Sequence, residues 1–240
     1  MRWSLILILN LTILQTIFSQ QTSPQPSYRQ VFGKDYQWAE NKIAENQWWG
    51  DTLQNHGIDP HLALSVIFPE LIRYSAISDF IEVKALEVLY VQYGSNYANF
   101  SIGLFQMKPT FAEQIEADIL TLGLAGKYPS LQVLASDTSS TTEARKKRVT
   151  RLKDEYGQLL YLEAFQRIMQ FTYPETSFTS PENRLEFYAA AYNSAYYNGK
   201  EAITISMRQE NFHTGYLSPG PHYNYSTIAV YYYRFTNNQQ

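Results

Sequence analysis

Glu70 is the side chain on which a reaction could turn. It belongs to the run from Asp59 to Tyr74 (DPHLALSVIFPELIRY). A helix advancing 100° per residue sets it on one face with Leu62, Ala63, Val66, Ile67 and Tyr74. A carboxylic acid in an apolar stripe holds its proton to higher pH, because burying the ionised form is costly, and a general acid working near neutrality needs that property. Arg73, three residues on, offers a plainer reading, an ordinary ion pair at a helix end. A second group of polar residues follows in Gly103-Leu-Phe-Gln106-Met-Lys-Pro109. Gly103 permits a positive φ or a close approach of backbone to a ligand. Gln106 is a neutral donor and acceptor, able to hold an N-acetyl or hydroxyl group without competing for the proton on Glu70. The competing reading is a tight turn whose glutamine caps backbone groups. Tyr192 and Asn193 lie in an Ala-rich run; either lines a cleft, or Asn193 satisfies buried backbone and Tyr192 belongs to the core.

These residues need helices to position them. Asp59 followed by Pro60 is a helix start. Pro69 is expected to kink or end that helix, so that Glu70 opens onto a cleft. Before it, Trp38, Ile43, Trp48 and Leu53 predict an amphipathic helix from about 36 to 56, ending at Gly57. Residues 81 to 92 fit a short helix or a strand pair, and 94 to 100 (GSNYANF) read as loop. A helix is expected from Pro109 to Leu120, a short one from Leu131 to Leu134, and the longest from Glu143 to Phe171. Arg145, Lys146, Lys147, Arg148, Arg151 and Lys153 on this last pattern read as a solvated face. Ser180 and Pro181 start a helix over 182–198 with Gly199 at its end. Thr214 to Pro221 is a turn, and Tyr223 to Phe235 a closing helix. The fold class is mainly α.

The chain has 240 residues and a formal net charge of −3, which gives no general reason to expect nucleic acid as a partner. It contains no cysteine, so disulfides, thiolate nucleophiles and Cys-ligated zinc are excluded. Residues 1–20 read as a signal peptide, with Arg2 before a mostly Leu and Ile stretch to Phe18. Asn10, Thr12, Gln15 and Thr16 interrupt that stretch, so no stable membrane span is expected once it is cleaved. Residues 21–34 read as a polar linker and 35–240 as one domain. Aromatic residues are abundant, with 20 Tyr, 13 Phe and 4 Trp. They suit a wet cleft for a polar ligand, although most are expected in the core. His56, His61, His213 and His222 lack metal-ligand spacing and are expected in surface or turn roles. Neither a metal nor another cofactor is implied.

Three stretches in order resemble the lytic transglycosylases of bacterial cell walls, in particular the soluble-lytic-transglycosylase catalytic domain of the lysozyme-like superfamily. Glu70 stands at the place of that family's single catalytic glutamate. Gly103-Leu-Phe-Gln106…Pro109 is similar to its Gly-Leu-Met-Gln…Pro stretch, and Ala190-Ala-Tyr-Asn193 to its Ala-Tyr-Asn helix. A weaker echo lies in Tyr223-Asn-Tyr225 and Tyr231 to Tyr233. Leu71 replaces the family's Ser after the glutamate, and Ala195 its Gly after Ala-Tyr-Asn-Ala. The interval from Glu70 to Gln106 is longer, as if about 76 to 98 were inserted. The resemblance implies a lysozyme-like single domain, with an insertion between the catalytic-Glu helix and the Gly-Leu-Phe-Gln turn. It implies peptidoglycan glycan strands as substrate and a secreted, periplasmic or cell-envelope location. Gly103, Phe105, Gln106, Tyr192, Asn193 and Tyr225 would contact the sugar.

Glycosidic cleavage usually employs two carboxylates. Asp79, Glu82 and Glu87 are available, none within a motif. The resemblance implies a route with one: Glu70 protonates the leaving oxygen, then acts as base while the muramic acid C6 hydroxyl attacks its own anomeric carbon, leaving a 1,6-anhydro end. A lysozyme-type hydrolase using Asp79 or a neighbouring carboxylate is the second reading. A non-catalytic glycan-binding wall protein is the third.

Overall fold

The computed structural model describes residues 27–77, 83–136, 140–215 and 220–237. Among them twelve α-helices succeed one another. They are α1 (Tyr28–Glu45), α2 (Gln47–Asn55), α3 (Pro60–Ile77), α4 (Val83–Tyr93), α5 (Pro109–Thr121) and α6 (Leu124–Lys127), then α7 (Gln132–Ala135), α8 (Thr142–Lys153), α9 (Glu155–Thr172), α10 (Pro181–Ser194), α11 (Gly199–Ser206) and α12 (Tyr225–Asn237). The described residues contain no strand, only the isolated bridges Ile102–Met107 and Phe212–Tyr223. No described helix is long and apolar enough to cross a membrane. The signal segment, Asp79, Glu82 and part of the 214–221 turn lie outside the described residues.

Helix α3 is the axis of the molecule. Asp59 caps it, its Oδ1 accepting from the N–H groups of His61 (3.0 Å) and Leu62 (3.2 Å). Every residue from Leu62 to Ile72 is buried, because α1, α2, α9, α10 and α12 surround it. The expected single apolar face is therefore an apolar helix buried all round. Leu71, fully buried, belongs to that core. Pro69 does not end the helix, which runs on to Ile77; packing on all sides holds the turn that its missing N–H weakens. Helix α10 approaches α3 and α12 through the small residues Ala189, Ala190 and Ala191, all buried.

Several boundaries differ from expectation. The segment 28–34, read as linker, is helical, and Tyr28 and Phe32 are buried against Tyr223, Tyr231 and Phe212 of the distant C-terminal part. The helix expected over 36–56 is divided at Asn46 into α1 and α2. The long 143–171 helix is likewise two. Asp154 has extended backbone and caps α9, its carboxylate accepting from Gly157 N–H at 2.8 Å. A Cβ on Gly157 would lie 2.2 Å from the Arg151 carbonyl, so glycine permits the sharp turn. The basic run is not uniformly solvated: Arg148 is buried beside Glu116. The helix over 182–198 ends at Ser194, Ala195 turning the chain at φ 68°. The ambiguous 81–92 stretch is helical from Val83, and α4 packs on α8. His56 lies in the turn after α2, as expected, its Nδ1 2.7 Å from the buried Glu163 carboxylate.

Candidate functional site

Glu70, Gln106, Tyr192 and Asn193 line one cavity of about 250 Å³, together with Arg73, Asn99, Ser101, Met107, Lys108, Thr110, Phe111, Ser194, Ala195 and Tyr197. Four separate stretches meet there: the second half of α3, the loop before the 102–107 turn, the turn with the start of α5, and the end of α10. Glu70 is the one carboxylate among these lining residues. Its residue is 4% exposed. Burial pushes its carboxyl above the usual glutamate range, while Arg73, and more weakly Lys108, pull the other way. Arg73 Nη1 donates to both carboxylate oxygens, at 2.9 and 2.7 Å. The guanidinium also lies over the Phe212 ring, 4.5 Å from its centroid, and Nε donates to the His213 carbonyl at 3.4 Å. The ion pair and the desolvated acid, opposed as readings of the sequence, are thus both present.

The 102–107 turn is fixed from below. Phe105 N–H donates to Gln158 Oε1 (2.8 Å), and the Phe105 carbonyl accepts the Tyr192 hydroxyl (2.8 Å). The Phe105 ring is fully buried and packs edge-on against Trp49, centroids 5.2 Å apart. Phe105 is therefore core, contrary to its expected ligand contact, because the turn presents its alternate side chain inward. Gly103 has the positive φ expected of it. Its φ is +71°, and an added Cβ would lie 2.4 Å from the Leu152 carbonyl and 2.6 Å from Gln158. The close approach that demands glycine is to the protein itself. Gln106 Nε2 donates to the Gly103 carbonyl at 2.8 Å, a backbone cap as the plainer reading had it, yet the residue still faces the cavity.

Tyr225 does not line the cavity. Its buried hydroxyl donates to the Val66 carbonyl at 2.9 Å, so its expected sugar contact gives way to a bond that supports α3 one turn before Glu70. Burial and the charge of Glu70 raise the Tyr192 and Tyr225 hydroxyls well above their ordinary range. Tyr231 and Tyr233 are helix contacts, with Tyr28 and His61 respectively.

Among the described residues, Gln106 (φ 51°) and Ala195 (φ 68°) are the non-glycine positions with positive φ, and both line this cavity. Such conformations cost roughly 1–3 kcal/mol each and collect at functional sites. No protein-family model, curated protein or solved structure matches the chain. Any functional reading therefore rests on the residues of the cavity and on the motif resemblance. Lys108, Asn99 and Ala195 escaped the sequence reading as lining residues. The proximity of Lys108 to Gln106 at a helix start, and of Ala195 to Asn193, was the available signal. Among the described residues no group of three or more His, Asp or Glu side chains could hold a metal ion.

Proposed function

We propose that the protein is a secreted peptidoglycan lytic transglycosylase with a lysozyme-like domain. It cuts the MurNAc–GlcNAc β-1,4 bond and leaves a 1,6-anhydro end. The observation that carries this reading is the burial of Glu70 as the single carboxylate, among the described residues, of a cavity it shares with Gln106, Tyr192 and Asn193. Desolvation favours the protonated acid, which can donate to the leaving oxygen. Once ionised, the same carboxylate accepts the proton of the C6 hydroxyl as that oxygen closes on the anomeric carbon. Intramolecular attack makes a second carboxylate unnecessary. Gln106 offers its amide oxygen to the sugar, Asn193 a further donor and acceptor, and Tyr192 fixes the turn that carries Gln106. Ala195 has a positive φ, a region open to glycine, the residue type the resembling family has there.

One observation favours the non-catalytic glycan-binding alternative: Arg73 engages both oxygens of Glu70 and stabilises the form that cannot donate a proton. Mass spectrometry of purified cell wall digested by wild type and Glu70→Gln decides among the readings. The proposal predicts 1,6-anhydro ends from wild type and a loss of about 10²–10⁴-fold in the variant. Reducing ends would mark a hydrolase. Equal binding with no cleavage by either protein would mark a binding protein.

A further inference from the structure

Among the described residues, the lining of the Glu70 cavity holds two cations, Arg73 and Lys108, against one carboxylate. Arg73 belongs to α3; Lys108 precedes α5 and is exposed. Both act on Glu70 electrostatically; Tyr197 also lines the cavity, and burial raises the Tyr192 hydroxyl of α10 and the Tyr225 hydroxyl of α12 well above their ordinary range. Arg73 is partly exposed, its side chain 22% accessible against 5% for Glu70, and it lines the cavity, so a ligand there can reach it. We propose that Arg73 and Lys108 form an anion subsite for a carboxylate of the substrate, and that this carboxylate exchanges with Glu70 on Arg73. The inference deepens the transglycosylase reading and rests on it for the identity of the sugar.

The exchange has a chemical consequence. While Arg73 donates to both Glu70 oxygens, its charge opposes the proton uptake that burial favours. A ligand carboxylate that draws the guanidinium away leaves Glu70 desolvated without its cation, and the acid then takes up a proton from solvent. Loading of the general acid is thereby coupled to an acidic sugar. On wall glycan the carboxylate can come from the lactyl ether of muramic acid or from a stem peptide. A neutral glycan leaves Glu70 paired.

The test is calorimetric binding of the GlcNAc-MurNAc disaccharide, which lacks the bond proposed to be cut. It is compared as free acid and as lactyl methyl ester, with a second arm bearing a stem peptide as free acid or fully esterified. Wild type is expected to bind the acid about tenfold more tightly than the ester, the size of a modest charge pair. The arm that shows the difference names the source of the carboxylate. Glu70→Gln, which removes the internal competitor, is expected to bind the acid more tightly than wild type does. Titration in buffers of different ionisation enthalpy is expected to show proton uptake by wild type and none by Glu70→Gln. Arg73→Gln is expected to erase the acid–ester difference; the wild-type comparison stands even if that variant does not fold. Equal binding of acid and ester by wild type in both arms overturns the subsite. If wild type also releases anhydro ends from whole wall, the transglycosylase reading survives that loss; if it neither binds nor cuts, both fall.

Discussion

The hydroxyl of Tyr225 donates to the carbonyl of Val66, four residues before Glu70. Pro69 lies between and supplies no N–H to the carbonyl four residues back, so this stretch of α3 has a weakened ladder where the acid must be held. A side chain singled out as a sugar contact thus acts on the helix behind the acid. Tyr225→Phe is expected to lower stability by about 1 kcal/mol in urea denaturation, with KM for wall substrate unchanged; a raised KM at unchanged stability would restore the ligand role. Sequence reasoning found Glu70, Gln106, Tyr192 and Asn193, which the fold brings to one cavity. Gly103, Phe105 and Tyr225 lie outside that lining, Gly103 with the positive φ expected of it. Membership of a motif does not tell which residues of a turn face the core. Phe105 faces Trp49, and Gly103 faces Leu152 and Gln158.

At the scale of elements, Gly103 and Ala195 form a contrasting pair. Both have positive φ, but Gly103 is also crowded by neighbouring backbone. Gly103→Ala is expected to cost more than about 1 kcal/mol, whereas Ala195→Gly removes local strain and leaves stability within about 1 kcal/mol of wild type or above it. Chemical denaturation of the two variants checks this, and equal losses would contradict it. Helix types were legible where caps and periodicity agreed, as at Asp59-Pro60 and Ser180-Pro181. In α10, Ser180 accepts from Asn183 N–H at 3.1 Å as a cap should. Breaks were less legible. Asp154 and Gly157 fall within an uninterrupted helical pattern, and their capping role depends on φ and ψ that hydrophobic spacing does not encode. Tyr28 and Phe32 looked like linker because the aromatic partners that bury them lie near the other end of the chain.

Across the whole molecule, a buried ionic cluster joins α4, α5, α8 and α9. Glu116 is fully buried and accepts from Arg148, Arg151 and the Tyr161 hydroxyl. Arg148 also donates to the Tyr90 hydroxyl at 2.6 Å, and that hydroxyl donates to Glu113 at 2.9 Å. The cluster anchors α5, whose start lines the cavity through Thr110 and Phe111, just after Lys108. Breaking one member of a buried charge set leaves the others uncompensated, at a cost of about 3–5 kcal/mol. Glu116→Gln is expected to lose stability in that range by urea denaturation, and a loss below about 1 kcal/mol would contradict the anchoring role. The sequence showed these arginines as an exposed basic face. Their carboxylate partner, some thirty residues earlier, has no local signature.

The protonation of Glu70 tests the account most directly. Difference infrared spectra of wild type minus Glu70→Gln, followed through a pH titration, isolate its carboxyl band. Burial outweighing Arg73 predicts a protonated carboxyl that persists above the usual glutamate range and ionises only as pH rises further. The sign is then fixed for stability as well. A raised folded-state pKa contributes stability fully present at low pH and lost as pH rises through the raised value. A band that ionises at or below the ordinary glutamate range would mean that Arg73 governs the site, and Glu70 would then be no general acid.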